Sequence, residues 1–232
     1  MHYVNLGLIF VAVANLLAGI YVWSINRKNK INIYFSLAMV GVAFWGASEG
    51  FMFIAKTVDL VALFGKLTYA FGIFIALNFL LFSFYFPFQA RRLNKVIILT
   101  PIIIFLVTII FVFIPGLLIK QGVLANTIVA NNDLLLNPIG FWLYMISFMF
   151  LFGWSFCNLI KKYFGSDGFI RQQLKYIIST SSIFFILATI FDLLVPYFKG
   201  EVLGWIGPYA TLVMFFAIAY LIFFGGKRLY LR

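Results

Sequence analysis

Three ionisable side chains, Glu49, Lys66 and Asp192, fall inside apolar stretches of this sequence. Charge in a hydrocarbon interior is costly, so such residues mark ligand sites, ion paths or buried pairs. Glu49 and Lys66 each lie about six residues, or about 9 Å of helix, from the same end of the runs that hold them. Asp192 lies about one turn from Pro196, at the matching end of a later run. The three therefore share a depth. One arrangement is a polar, outward-opening pocket in which Glu49 and Lys66 pair and a ligand competes for one of them. The other is a fixed Glu49–Lys66 ion pair that holds two helices in register, with Asp192 reaching the interface. Trp45 stands one turn before Glu49 on the same helix face, and Tyr69 follows Lys66 by about one turn. Both either line the same pocket or serve as packing. The candidate ligand-binding set is Glu49, Lys66, Asp192, Trp45 and Tyr69.

Other chemistry is poorly supplied. Cys157 is the single cysteine and His2 the single histidine, so neither an intrachain disulfide nor a Cys/His metal site can be assembled. There is no HExxH, no Ser/His/Asp set and no glycine-rich phosphate loop. The expectation is a protein that is not an enzyme and carries no cofactor and no metal. The last apolar run, Val202 to Phe224, has no lysine to hold a retinal Schiff base. Phe84-Tyr85-Phe86-Pro87 stands where many G-protein-coupled receptors carry Asp-Arg-Tyr.

The elements that must position these residues are membrane spans. The chain has 232 residues, of which 65% are hydrophobic and 10% charged; a soluble domain carries roughly a quarter charged residues. A span needs about 20 apolar residues, and seven runs qualify: about 3–25, 31–55, 60–86, 96–114, 138–160, 173–197 and 202–224. Of the 17 Lys and Arg, most fall in alternate gaps: Arg27 to Lys30, Arg91 to Lys95, Lys161 to Lys175, and Lys227 to Arg232. The other gaps hold Lys56, Lys120 and Lys199 against Asp59, Asp133 and Glu201. Basic loops stay in the cytoplasm, so the N-terminus is expected outside and the C-terminus inside. The net charge of +11 then reads as a topology code facing anionic lipid, and not as a nucleic-acid footprint. The start lacks the basic flank of a cleaved signal peptide.

Short loops force antiparallel neighbours, giving an all-α, up-and-down bundle forming a single domain over residues 1–232. Pro115-Gly116 ends the fourth run, and the longest loop follows, with Asn126, Asn131, Asn132 and Asp133. Within it Val123 to Ala130 is either a short interfacial helix or a strand. Tyr3, Trp23, Tyr85, Tyr163, Tyr197, Trp205 and Tyr230 fall where an interfacial aromatic belt would. Ala43, Gly46, Ala47 and Gly50 form a small-residue seam that lets helices approach. Ser179 to Ser182 and Thr189 read as packing hydroxyls, and Gly207-Pro208 as a kink or an irregular helix start. Asn78 lies about 120° around the helix from Lys66 and should meet a different neighbour.

Three stretches resemble a known family: the seven-helix N-terminal sensory region in front of bacterial histidine kinases and some diguanylate cyclases. They are Ala43-Phe44-Trp45-Gly46-Ala47-Ser48-Glu49; Leu67-Thr68-Tyr69-Ala70-Phe71-Gly72 leading to Leu81-Phe82-Ser83-Phe84-Tyr85-Phe86; and the fifth-to-sixth loop Ile170-Arg171-Gln172-Gln173-Leu174-Lys175-Tyr176. The resemblance covers nearly the whole sequence. It implies a sensory input module in the cell membrane, detecting an external or membrane-borne signal. In that family the last span leads directly into cytoplasmic output domains; here Gly225-Gly226-Lys227-Arg228-Leu229-Tyr230-Leu231-Arg232 ends the sequence. The expectation is therefore no kinase activity in this chain and relay, through the basic tail, to a separate kinase or cyclase. The lipid bilayer is the other expected partner, and a homodimer is compatible with the pattern. The alternatives are a small transporter or an accessory subunit of a membrane complex. Transporters favour polar groups at the midplane, and here the charges lie near the outer side.

Overall fold

In the computed structural model, residues 2–87, 94–124, 132–199, 206–220 and 222 are described. Short polar side chains set the helix starts. α1 (His2–Ile25) is followed by α2 (Lys30–Ile54), α3 (Val58–Tyr85) and α4 (Lys95–Phe113). Asn29, Thr57 and Asn94 stand just before α2, α3 and α4, and each accepts a hydrogen bond from a first-turn N–H. A ribbon of β1 (Ile119–Val123) and β2 (Asp133–Leu136) fills the long loop. α5 (Pro138–Phe164) then opens with Asn137 as its cap and proline in its first turn. α6 (Gly168–Ala188) runs through a π-helical turn (Thr189–Leu194) into α7 (Val195–Lys199) without leaving helical backbone angles. α8 (Ile206–Ala219) is the last described helix.

Among the described residues six helices are long and apolar enough to cross a bilayer, and α8 is a shorter apolar helix. The expected spans meet the observed helices within a few residues at most ends. The exception is the start of the sixth. Ile170 to Gln172, ahead of the expected start at about 173, lie inside α6 together with Gln173 to Tyr176. The reason is amphipathic spacing: Gln173, Leu174 and Ile177 are buried while Arg171, Gln172, Lys175 and Tyr176 are exposed. That is one wetted helical turn beyond the apolar run. The all-α expectation is met by every long element, and the long loop adds the short antiparallel β1–β2 ribbon. Of the segment 123–130 only Val123, at the end of β1, and Leu124 lie among the described residues. Glu201, Trp205, Arg91, Arg92, Asn126, Asn131 and the tail Lys227 to Arg232 lie outside them.

Neighbour contacts run α1–α2–α3–α5–α6–α8 and back to α1, closing a six-helix ring. α4 packs outside it, against α3 and α5, and its large side chains Val96, Leu99, Ile103, Leu106, Val107 and Ile110 are mostly exposed. An apolar exterior of this kind is stable only against lipid tails. The small-residue seam does what its spacing implies: Gly46 lies against Pro208 and Leu8, and Gly50 against Leu8. These contacts bring α2 close to both α1 and α8. Of the expected belt, Trp23 carries Arg27 over its ring at 4.7 Å and Tyr163 carries Arg171 at 4.9 Å. Tyr85 carries Lys30 over its ring at 4.7 Å and stacks on Tyr34 at 5.4 Å, and Tyr197 stacks on Phe141 at 4.3 Å.

Candidate functional site

The ring encloses a pocket at the end that carries the ribbon. Trp45, Glu49 and Met52 line it from α2; Thr68, Tyr69, Gly72 and Ile75 from α3; Tyr144, Phe148 and Phe152 from α5. Ser181, Phe184, Phe185 and Ala188 line it from α6, Asp192 and Leu193 from the π-helical turn, and Thr211 and Met214 from α8. Leu134 of β2 closes over it. The atom-free space, its open mouth included, is about 840 Å³.

Four of the five candidate residues meet there: Trp45, Glu49, Tyr69 and Asp192. Glu49 is 3% exposed, and both its oxygens are buried. The Asp192 carboxylate reaches the start of α8, where its Oδ1 accepts from the Gly207 N–H at 3.2 Å. A negative group at a helix N-terminus meets the positive end of the helix dipole. Gly207 is required because a Cβ there would overlap the Asp192 carboxylate. The irregular start expected at Gly207-Pro208 is thus the docking point of Asp192. Thr211 closes the first turn by donating to the Gly207 and Pro208 carbonyls at 3.1 and 2.9 Å.

Lys66 stands apart. Its half-buried ammonium donates to the Phe113 carbonyl at 3.4 Å, at the carboxyl end of α4, where a cation is favoured. It does not pair with Glu49. The reason is azimuth: at about 100° per residue, the α3 residues that line the pocket centre on a direction about 130° away from Lys66. Asn78, which was expected to meet a different neighbour from Lys66, donates to Phe74 on its own helix at 2.8 Å.

Several pocket residues carried no clear sequence signal. Tyr144 is 1% exposed and donates its hydroxyl to the Tyr69 carbonyl at 2.9 Å, with the two rings edge-to-face at 4.9 Å. This fixes α5 against α3 and sets one wall of the pocket. Ser181, read from sequence as packing, is 2% exposed, and its hydroxyl has no hydrogen-bond partner in the structure. Its place in a run of hydroxyls was the available signal, but only the neighbouring helix shows which of the four points inward.

The ribbon covers one end of the ring. Asn132 donates to the Met52 and Ala55 carbonyls at 2.9 and 2.8 Å, capping the end of α2. Leu134 occupies the space that a side chain at Gly65 would fill. Among the described lining residues Glu49 and Asp192 are the only charged ones, and no Lys, Arg or His joins them. The pocket is therefore acidic and aromatic. A family model described as the N-terminal 7TM region of histidine kinase matches residues 7–229. No curated protein matches the chain.

Proposed function

We propose a function from one premise: this chain belongs to the family of N-terminal 7TM regions of histidine kinases. Such a region is a membrane sensory input module. In our reading residues 1–232 form one seven-span domain in the plasma membrane, with α8 as the core of the last span. The ribbon lies outside and the basic gaps lie in the cytoplasm, following the charge rule. The signal enters the pocket between α2, α3, α5, α6 and α8, where Glu49, Asp192, Trp45 and Tyr69 contact it. Lys66 has no part in that contact. A ligand that favours one packing of α6 and α8 over another shifts their equilibrium, and the last span passes the shift to a cytoplasmic kinase or cyclase.

The single observation that supports this reading is convergence. Residues far apart in sequence, Trp45, Glu49, Tyr69 and Asp192, line one pocket in a chain of a sensory family. A decisive experiment joins a histidine-kinase core after Arg232 and measures autophosphorylation in lipid nanodiscs. Filling the pocket with Ala188→Phe should change basal output by about threefold or more, the scale of ordinary allosteric coupling. Leu99→Ala on the lipid face of α4 should leave it unchanged. Equal output from the pocket-filled and parent proteins would reject the sensory reading.

A further inference from the structure

We infer that this pocket takes an uncharged aromatic molecule with one hydrogen-bonding group, seated with that group on Ser181. The inference rests on the sensory reading above and narrows the signal to one chemical class. It asks nothing of Glu49 or Asp192, both of which are engaged within the protein. The first observation concerns hydroxyls. A serine inside a helix commonly bonds the carbonyl four residues back, and Ser48, Ser147 and Ser155 do so at 2.7, 3.1 and 2.8 Å. Hydroxyls on the pocket wall are spent in the same way. Thr68 donates to the Phe64 carbonyl at 3.0 Å, Tyr144 to that of Tyr69 at 2.9 Å, and Thr211 to that of Pro208 at 2.9 Å. Ser181 departs from this pattern. It lines the cavity, is 2% exposed, and its hydroxyl has no hydrogen-bond partner in the structure. Buried hydroxyls rarely remain so, because an unmet polar group costs free energy. A hydroxyl or carbonyl on a guest in the cavity supplies the missing partner.

The second observation is a run of rings along the same wall. Tyr69 meets Tyr144 at 4.9 Å, Tyr144 meets Phe148 at 6.1 Å, Phe148 meets Phe152 at 4.9 Å, and Phe152 meets Phe185 at 4.8 Å. All five line the cavity, so α3, α5 and α6 present one continuous aromatic surface, with Ser181 on the last of these helices. A guest ring extends the series and gains ring–ring geometry besides buried area; an aliphatic guest of equal size gains the area alone. The unmet group is a neutral hydroxyl, so a neutral partner completes the wall. A charged group would give up its water to a surface built mostly of rings. One hydroxyl beside a ring wall thus describes an aromatic alcohol or a compound of similar shape and polarity.

The test uses the full chain in nanodiscs, with empty nanodiscs correcting for partition into lipid. Titration calorimetry compares four probes of similar size: 2-phenylethanol, ethylbenzene, 2-cyclohexylethanol and phenethylammonium. The aromatic alcohol should bind about fivefold more tightly than ethylbenzene, which lacks the hydroxyl. It should bind about threefold more tightly than 2-cyclohexylethanol, which lacks the aromatic ring, and more tightly than the ammonium ion. Ser181→Ala should weaken 2-phenylethanol by about fivefold and leave ethylbenzene unaffected, with melting temperature reporting that the variant is folded. Should that variant fail to fold, the four-probe ranking on the parent protein decides, and Ala188→Phe should abolish binding by occupying the cavity. Equal affinity for the alcohol and ethylbenzene, tighter binding of the ammonium ion, a Ser181→Ala variant that binds the alcohol as the parent does, or no probe binding at all overturns the assignment. None of these results touches the sensory reading, which stands or falls on the autophosphorylation of the pocket-filled protein.

Discussion

In the half of the ring away from the ribbon, Asn32, Ser36 and Lys162 direct their donors onto main-chain carbonyls of neighbouring helices; in the other half Glu49, Asp192 and Ser181 face a cavity. Asn32 donates to Val22 at 2.9 Å and Ser36 to Gly19, joining α1 to α2. Lys162 donates to Ser83, Phe84 and Phe86 at the end of α3. Phe82 stacks on Phe86 at 5.2 Å and on Phe79 at 6.0 Å. Packed and satisfied groups of this kind resist rearrangement. The pocket half instead has a π-helical turn, empty space and a small ribbon as its cover. Wide helical turns of that sort recur at functional sites. The contrast assigns adaptability to the pocket half and rigid transmission to the other.

The largest effect should come from breaking the rigid half. Lys162→Met keeps the apolar stem and removes the ammonium, leaving several carbonyls at the end of α3 without their donor. The expected loss is about 2–4 kcal/mol, since bonds to charged groups are strong and orphaned acceptors are costly. Thermal unfolding in detergent measures it. A loss no larger than that of a lipid-face substitution would show that the two halves are not differently built.

Gly207→Ala strikes the pocket half at its tightest joint. The new methyl group and the Asp192 carboxylate cannot share their space, so α8 or the π-helical turn must move. Overpacking of this kind costs about 1–3 kcal/mol. Because the neighbouring cavity can take up the shift, the loss should be smaller than that at Lys162. Asn132→Ala is a milder test of the cover. It removes the bonds to Met52 and Ala55, about 1–2 kcal/mol, and should appear as faster hydrogen exchange in β1 and β2 with α3 unaffected. Exchange rising across the whole bundle would mean that the ribbon is part of the core and not a cover.

How much of this was legible beforehand follows from the same contrast. Depth along the membrane normal can be read by counting residues, so Glu49 and Asp192 were placed at one level before any contact was known. Direction around the helix axis cannot be counted until the neighbours are fixed. That is why Lys66, at the right depth, was set beside Glu49, in a pocket or as a fixed pair, although it caps α4. The same blindness hid Tyr144 and Ser181, whose helices show their inner faces only once α3 and α8 stand beside them. The ribbon was illegible for another reason: its bonds join segments that are not adjacent in sequence, and no local spacing announces them.

The finest test exchanges one oxygen for hydrogen in each half. Ser36 and Ser181 are both buried serines on ring helices, 5% and 2% exposed. The Ser36 hydroxyl bonds the Gly19 carbonyl of the adjoining helix, whereas the Ser181 hydroxyl has no partner in the structure. Ser36→Ala discards a made bond and should cost about 1 kcal/mol, whereas Ser181→Ala removes a group that folding had already stripped of water and should be neutral or slightly stabilising, within about 0.5 kcal/mol. Burial alone would give the two variants the same effect. The difference therefore isolates whether a hydroxyl is retained for the fold or for something that enters the cavity. If Ser181→Ala proves as destabilising as Ser36→Ala, the hydroxyl has a structural role and the pocket half is built like the other. If it is silent in melting, the hydroxyl is not held for the fold, and the two halves are built differently.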